Sequence, residues 1–206
     1  MKLPTFDHFL LFMKAFLFLV VCLPISAFAQ STDSLEIQFN QFIRNFEPLQ
    51  LPLEINQEMG EVSIDSLQQV RVEDADAIIL QDYVTKSAQQ QTAYYFGGSI
   101  QLLPNCHVVL YYVEHSRLYP IAMLAVYTMD GDLKGEVEVG NHNFFSNGGG
   151  QTFRQSMISE GANDHLFVFT SQVAGERRLD GTYRSYEEVA LHEIDQDCKM
   201  TTLYKR

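Results

Sequence analysis

Outside its first 29 residues the chain carries five histidines, His107, His115, His142, His165 and His192, with Glu114 and Glu193 beside two of them. A catalytic zinc site wants two His one helical turn apart with a Glu next to the first, the H-E-x-x-H arrangement. His192-Glu193-Ile194-Asp195-Gln196 supplies the first half and lacks the second His, in a segment with strand character. His107 and His115 would share one face of a strand, yet stand about 26 Å apart along it. No metal site is expected from these spacings. Asp130, Asp132 and Lys134 take the first, third and fifth ligand positions of a calcium loop, but the fifth is a cation and the twelfth is Asn141 instead of Glu. The turn therefore reads as a hairpin connection. Asp195-Gln196-Asp197-Cys198-Lys199 repeats its D-x-D-x-K pattern, which turn chemistry alone explains.

Nucleophilic chemistry fares no better. Gly97-Gly98-Ser99-Ile100-Gln101 begins like a nucleophile elbow and lacks its final Gly. Cys106 and His107 are adjacent, so on a strand they point to opposite faces and cannot act as a nucleophile–base pair. Glu114, Glu187, Glu188 and Asp195 could supply paired carboxylates for sugar hydrolysis, but carboxylates this common in an acidic chain carry no signal without geometry. Gly148-Gly149-Gly150 lacks the G-K-[ST] ending of a phosphate loop. No catalytic residue and no cofactor are assigned.

Two constellations remain. Cys106 and Cys198 either form a bridge, as paired cysteines in an oxidising compartment usually do, or are two separate thiols. Asn141–Gln151 reads as a Gly/Asn-rich loop and is the best candidate contact loop, because Phe144 and Phe145 are oddly apolar for a solvated tip. Exposed, the two rings would mark a partner site; buried, the favoured reading, they tuck the loop down.

The elements that must position these residues begin after a secretory signal. Lys2 and Lys14 precede an apolar run over Ala15–Ile25, and Ala27-Phe28-Ala29 offers the small-x-small pattern of signal peptidase. The run is too short for a stable transmembrane anchor. Val21 before Cys22 argues against a lipoprotein box, since the lipidated Cys normally follows a small residue. Cleavage leaves 177 of 206 residues, enough for one mature domain over 30–206. Losing Lys2, Lys14 and Asp7 takes the net charge from −12 to −13. Such an acidic surface repels phosphate backbones and excludes nucleic acid as a partner.

Within 30–91 the spacing of Leu35, Phe39, Phe42, Ile43 and Phe46 predicts an amphipathic helix, with Asp33 and Glu36 as a capping box and Pro48 as its stop. Leu49–Ile55 reads as an extended edge segment, Gln57–Gln69 as unassigned, Glu73–Leu80 as a second short helix and Ser87–Gln91 as loop. From 92 to 206 the grammar is that of strands: Tyr94–Leu103, Cys106–Glu114, Ile121–Thr128, Leu133–Val139, Ser156–Glu160, His165–Gln172, Tyr183–Asp195 and Met200–Tyr204. The second and third are apolar on both faces and should be covered on both.

This layout resembles the small exported proteins of unknown function abundant in Bacteroidetes. The matching features are the signal ending Ala27-Phe28-Ala29-Gln30, the Phe-rich first helix, Leu51-Pro52-Leu53-Glu54-Ile55, the acidic helix near Glu73, Tyr94-Tyr95-Phe96 and Asp130-Gly131-Asp132. The resemblance implies export and a β-rich domain, and no activity. The fold expected is α+β: an N-terminal helix packed on an antiparallel meander of six to eight strands, with a β-sandwich as alternative. The function expected is a non-catalytic periplasmic or secreted module that binds an unknown protein partner. A small secreted hydrolase, its site assembled only in three dimensions, is the alternative.

Overall fold

The computed structural model describes residues 38–56, 93–114, 120–145, 150–177 and 180–206. The signal segment, the start of the first helix, the second helix near Glu73, the Ser87–Gln91 loop and His115 lie outside these residues. The chain divides into two units, Met1–Gln41 and Phe42–Arg206, and the whole sheet belongs to the second.

Nine strands are present among the described residues: β1 Leu53–Ile55, β2 Ala93–Ile100, β3 Cys106–Glu114, β4 Ile121–Thr128, β5 Leu133–Phe145, β6 Gly150–Glu160, β7 Leu166–Arg177, β8 Tyr183–Ile194 and β9 Met200–Lys205. From β2 to β9 each strand pairs with its sequence neighbour, all antiparallel. A meander follows because short turns join strands with no room for crossover helices. At the β4–β5 turn Gly131 adopts φ 92° and the Thr128 N–H donates to the Asp132 carbonyl at 2.9 Å. At the β8–β9 turn the Asp195 carboxylate accepts from the N–H groups of Asp197 and Lys199 at 3.0 and 2.9 Å. The two D-x-D sequences are thus turn devices.

β5 serves two neighbours. Its first half pairs with β4, and its second half, Asn141–Phe145, pairs with β6 from Gly150 to Arg154. Beyond that point β1 takes the place beside β6, with Leu53 opposite Ile158. The sheet folds over at β5, and residues of both halves share one core: Val108, Leu110, Leu124 and Val126 from β3 and β4, Ile158, Leu166, Val168 and Ile194 from β6 to β8, and Ile55 from β1. The disulfide Cys106–Cys198 joins the start of β3 to the β8–β9 turn, with Cα atoms 5.5 Å apart.

β3 and β4 are buried on both faces, as their unbroken apolar runs require. On the face away from the main core, Phe42, Phe46 and Phe96 form a cluster of edge-to-face and tilted rings with centroids 4.8–6.0 Å apart. Next to it, Gly97 sits at a β-bulge where an added Cβ would lie 2.6 Å from the Leu110 carbonyl oxygen. Glycine is needed there for close backbone approach.

Three expectations are corrected. The antiparallel β-rich fold is present, and the helix expected to run to Phe46 ends earlier: the described backbone is helical over 38–43 and leaves the helix at 44. The loop expected over Asn141–Gln151 is largely strand, since β5 runs to Phe145 and β6 begins at Gly150. β7 likewise extends to Arg177, beyond the expected end at Gln172. In each strand case Gly and Asn were weighed as breakers, whereas an unbroken register on a neighbouring strand satisfied their backbone groups.

Candidate functional site

Register builds the candidate surface. Met157 lies opposite Phe169, Phe169 opposite Leu191, and Leu191 opposite Tyr204, a row of four apolar side chains across β6, β7, β8 and β9. Phe153 and Val173, opposite each other, share that face because they stand four residues from Met157 and Phe169 on their strands. The alternate residues of β7, Leu166, Val168 and Thr170, are buried on the core face. Three members of the row are open to solvent, Met157 and Phe169 at 45% and Tyr204 at 48% exposure, and Leu191 is half-buried. Leu203, beside the irregularity in the β8–β9 register, is exposed as well. These side chains form an exposed apolar patch on one face of the sheet. Its polar neighbour is Glu187, which accepts from the buried Ser171 hydroxyl at 3.2 Å.

The core side of the same strands turns polar away from the disulfide. Arg154 donates from Nε to the Gln172 side-chain oxygen at 3.0 Å and from Nη1 to the Glu138 carbonyl at 3.0 Å. Glu188 pairs with Lys205 at 3.0 Å. Arg154 and Glu188 are thus each held by a partner on a neighbouring strand.

The residues singled out by type are dispersed. His165 Nδ1 lies 2.7 Å from Glu193, His192 Nδ1 lies 3.0 Å from the Thr202 hydroxyl, and His107 sits on β3. His142 is on β5, with its side chain outside the described atoms. Among the described residues no three His, Cys, Asp or Glu gather around a common point. Asp132 pairs with Lys134 at 3.6 Å. Ser99 is buried, and its hydroxyl donates to the Phe46 carbonyl at 3.3 Å. Phe144 and Phe145 pair through their backbones with Gln151 and Gly150, and their side chains are outside the described atoms. Cys106 and Cys198 are bonded to each other.

One polar cluster escaped the sequence entirely. The hydroxyl of buried Tyr111 donates to Glu136, with the buried Tyr94 ring 6.5 Å from that of Tyr111. Burial pushes the Glu136 carboxyl above its ordinary value, and the Tyr111 hydrogen bond offsets part of the rise. Burial and the neighbouring carboxylate both push the Tyr111 hydroxyl up, so it stays protonated and remains a donor. A carboxyl raised in the folded state binds more protons there than in the unfolded chain, so stability falls as pH rises from the ordinary carboxylate range through the raised value. Glu136→Gln keeps the acceptor and removes the titration. Its melting temperature relative to the parent is therefore expected to climb as pH rises from the ordinary carboxylate range through the raised value, and then level off. A constant difference across that range would show that Glu136 is not desolvated.

Compared with known proteins, the chain matches no family model, no curated protein and no solved structure.

Proposed function

We propose that this chain is an exported, non-catalytic binding module of the periplasm or extracellular space, acting through protein contact at the outer face of β6–β9. The observation that carries the reading is the row of exposed Met157, Phe169 and Tyr204 with half-buried Leu191 between the last two. Export is supported by the signal pattern ending at Ala29 and by a disulfide, which persists in an oxidising compartment. Among the described residues, no helix is long and apolar enough to cross a membrane. The same proposal keeps an amphipathic helix that begins at Leu35, on the strength of its apolar stripe, and runs into the described helical residues 38–43. Net charge −12 favours a partner that is not nucleic acid.

A photo-crosslinking side chain at position 169, with one at exposed Thr182 as control, tests the contact. Position 169 is expected to give a discrete adduct in envelope extract that position 182 does not, and Tyr204→Asp is expected to abolish it without lowering the melting temperature. Equal labelling at both positions would remove the contact reading.

A further inference from the structure

A cleft of about 450 Å³ opens between the segment Ile43–Pro48 and the β2–β3 connection. That volume lies within the range of about 300–1,000 Å³ usual for small-molecule sites. Its walls are largely apolar, with Ile43, Phe46, Ile100, Leu103, Val108 and Met129 contributing. The frame is fixed from two sides. The Leu49 N–H donates to the Ser99 carbonyl and the Ser99 N–H to the Glu47 carbonyl, both at 2.7 Å, while the lining residue Cys106 is held by the disulfide. A site so tied is preformed, which spares a ligand the cost of ordering it.

Charge decides what would enter. Arg44 is the single permanently charged side chain among the lining residues, and no Asp or Glu joins it, in a chain whose net charge is −12. Burial holds the His107 imidazole below its ordinary value, so near pH 7 it adds an uncharged polar edge to the wall. One arginine among the residues lining an apolar cleft matches one carboxylate, which a guanidinium can meet with two parallel hydrogen bonds. A polyanion would find one charge partner and many apolar neighbours, and an amine would meet a like charge.

We infer that this cleft binds a free amphipathic monocarboxylate, its hydrocarbon body against Phe46, Ile100 and Val108 and its carboxylate at Arg44. The inference does not rest on the contact face of β6–β9, which lies on other strands.

Calorimetric titration of the purified protein with decanoate, decanol and decylamine, each below its aggregation concentration, tests the site. Decanoate is expected to bind saturably at one site. Arg44→Gln should weaken it at least about tenfold, as loss of a charge-assisted hydrogen bond does, while leaving decanol unchanged. Gln101→Trp, at an exposed lining position, should fill the cleft and abolish both. Melting curves matching the parent show that both variants fold. Absence of saturable decanoate binding, decanoate affinity unchanged in the two variants, or decylamine binding as tightly as decanoate would each overturn the proposal. Anionic vesicles are expected neither to bind nor to compete, and competition by them would overturn the assignment to a free ligand.

Discussion

Replacing Cys106 and Cys198 together by serine is expected to lower the unfolding free energy by about 4 kcal/mol. The bridge closes a loop across a sequence separation of 92 residues. Cross-linking so long a loop removes much of the freedom of the unfolded chain, and the chain-entropy argument places loops of this length near 4–5 kcal/mol. Domains are stable by only about 5–15 kcal/mol, so the loss is a large share of the whole. Both cysteines are buried, and the bond ties β3 to the β8–β9 turn across the folded-over sheet. Urea unfolding of the oxidised protein, the same protein under reductant, and the double variant provides the measurement. The last two should coincide at a lower midpoint, and three coincident midpoints would mean that the bridge constrains nothing.

Leu124→Ala is expected to cost about 2–5 kcal/mol. Leu124 is fully buried in β4, between Leu110 on β3 and Val137 on β5. Its removal leaves a cavity that close-packed neighbours on both strands cannot fill. Phe169→Ser deletes a larger side chain and is nevertheless expected to change stability by less than about 1 kcal/mol, because Phe169 is 45% exposed on the outer face of β7. The inverted order is the informative result, and urea midpoints of the two variants measure it. A cost at Phe169 equal to that at Leu124 would mean that the outer face is covered in the native protein.

How far the sequence reaches can be judged from the same strands. The bounds of β3 and β4 agree with those expected, Cys106–Glu114 and Ile121–Thr128, because unbroken apolar runs lie between strong turn signals at Pro104-Asn105 and Asp130-Gly131. The ends of β5 and β6 were not legible, since Asn141 and Gly150 look like breakers until each has a partner strand to complete its hydrogen bonds. The helix expected from Leu35 is legible over 38–43, where the described backbone is helical, but the apolar stripe through Phe46 does not reveal that the backbone leaves the helix at 44. The exposed apolar row was hidden for a different reason. Met157 and Tyr204 become neighbours only through three strand registers, which no local window contains. A hint was present in Leu166-Phe167-Val168-Phe169, apolar at four successive positions and so apolar on both faces of one strand. The cleft had no signal at all, because Arg44 and His107 meet only after the segment before β1 has docked against the β2–β3 connection.

Every pairing in the meander joins sequence neighbours, so those hairpins can assemble rapidly from local contacts. β1 is the exception, since Leu53 must find Ile158 across more than half the chain to complete β6. Local hairpins form ahead of such long-range closures, whose entropic cost must be met before the contact forms. During that interval the edge of β6 from Ser156 to Ile158 stands unpaired, with its backbone groups available to any extended chain nearby. The three residues of β1 thus act as a plug as much as a strand, and the moment before they arrive is when the nascent molecule is most open to pairing with another copy of itself.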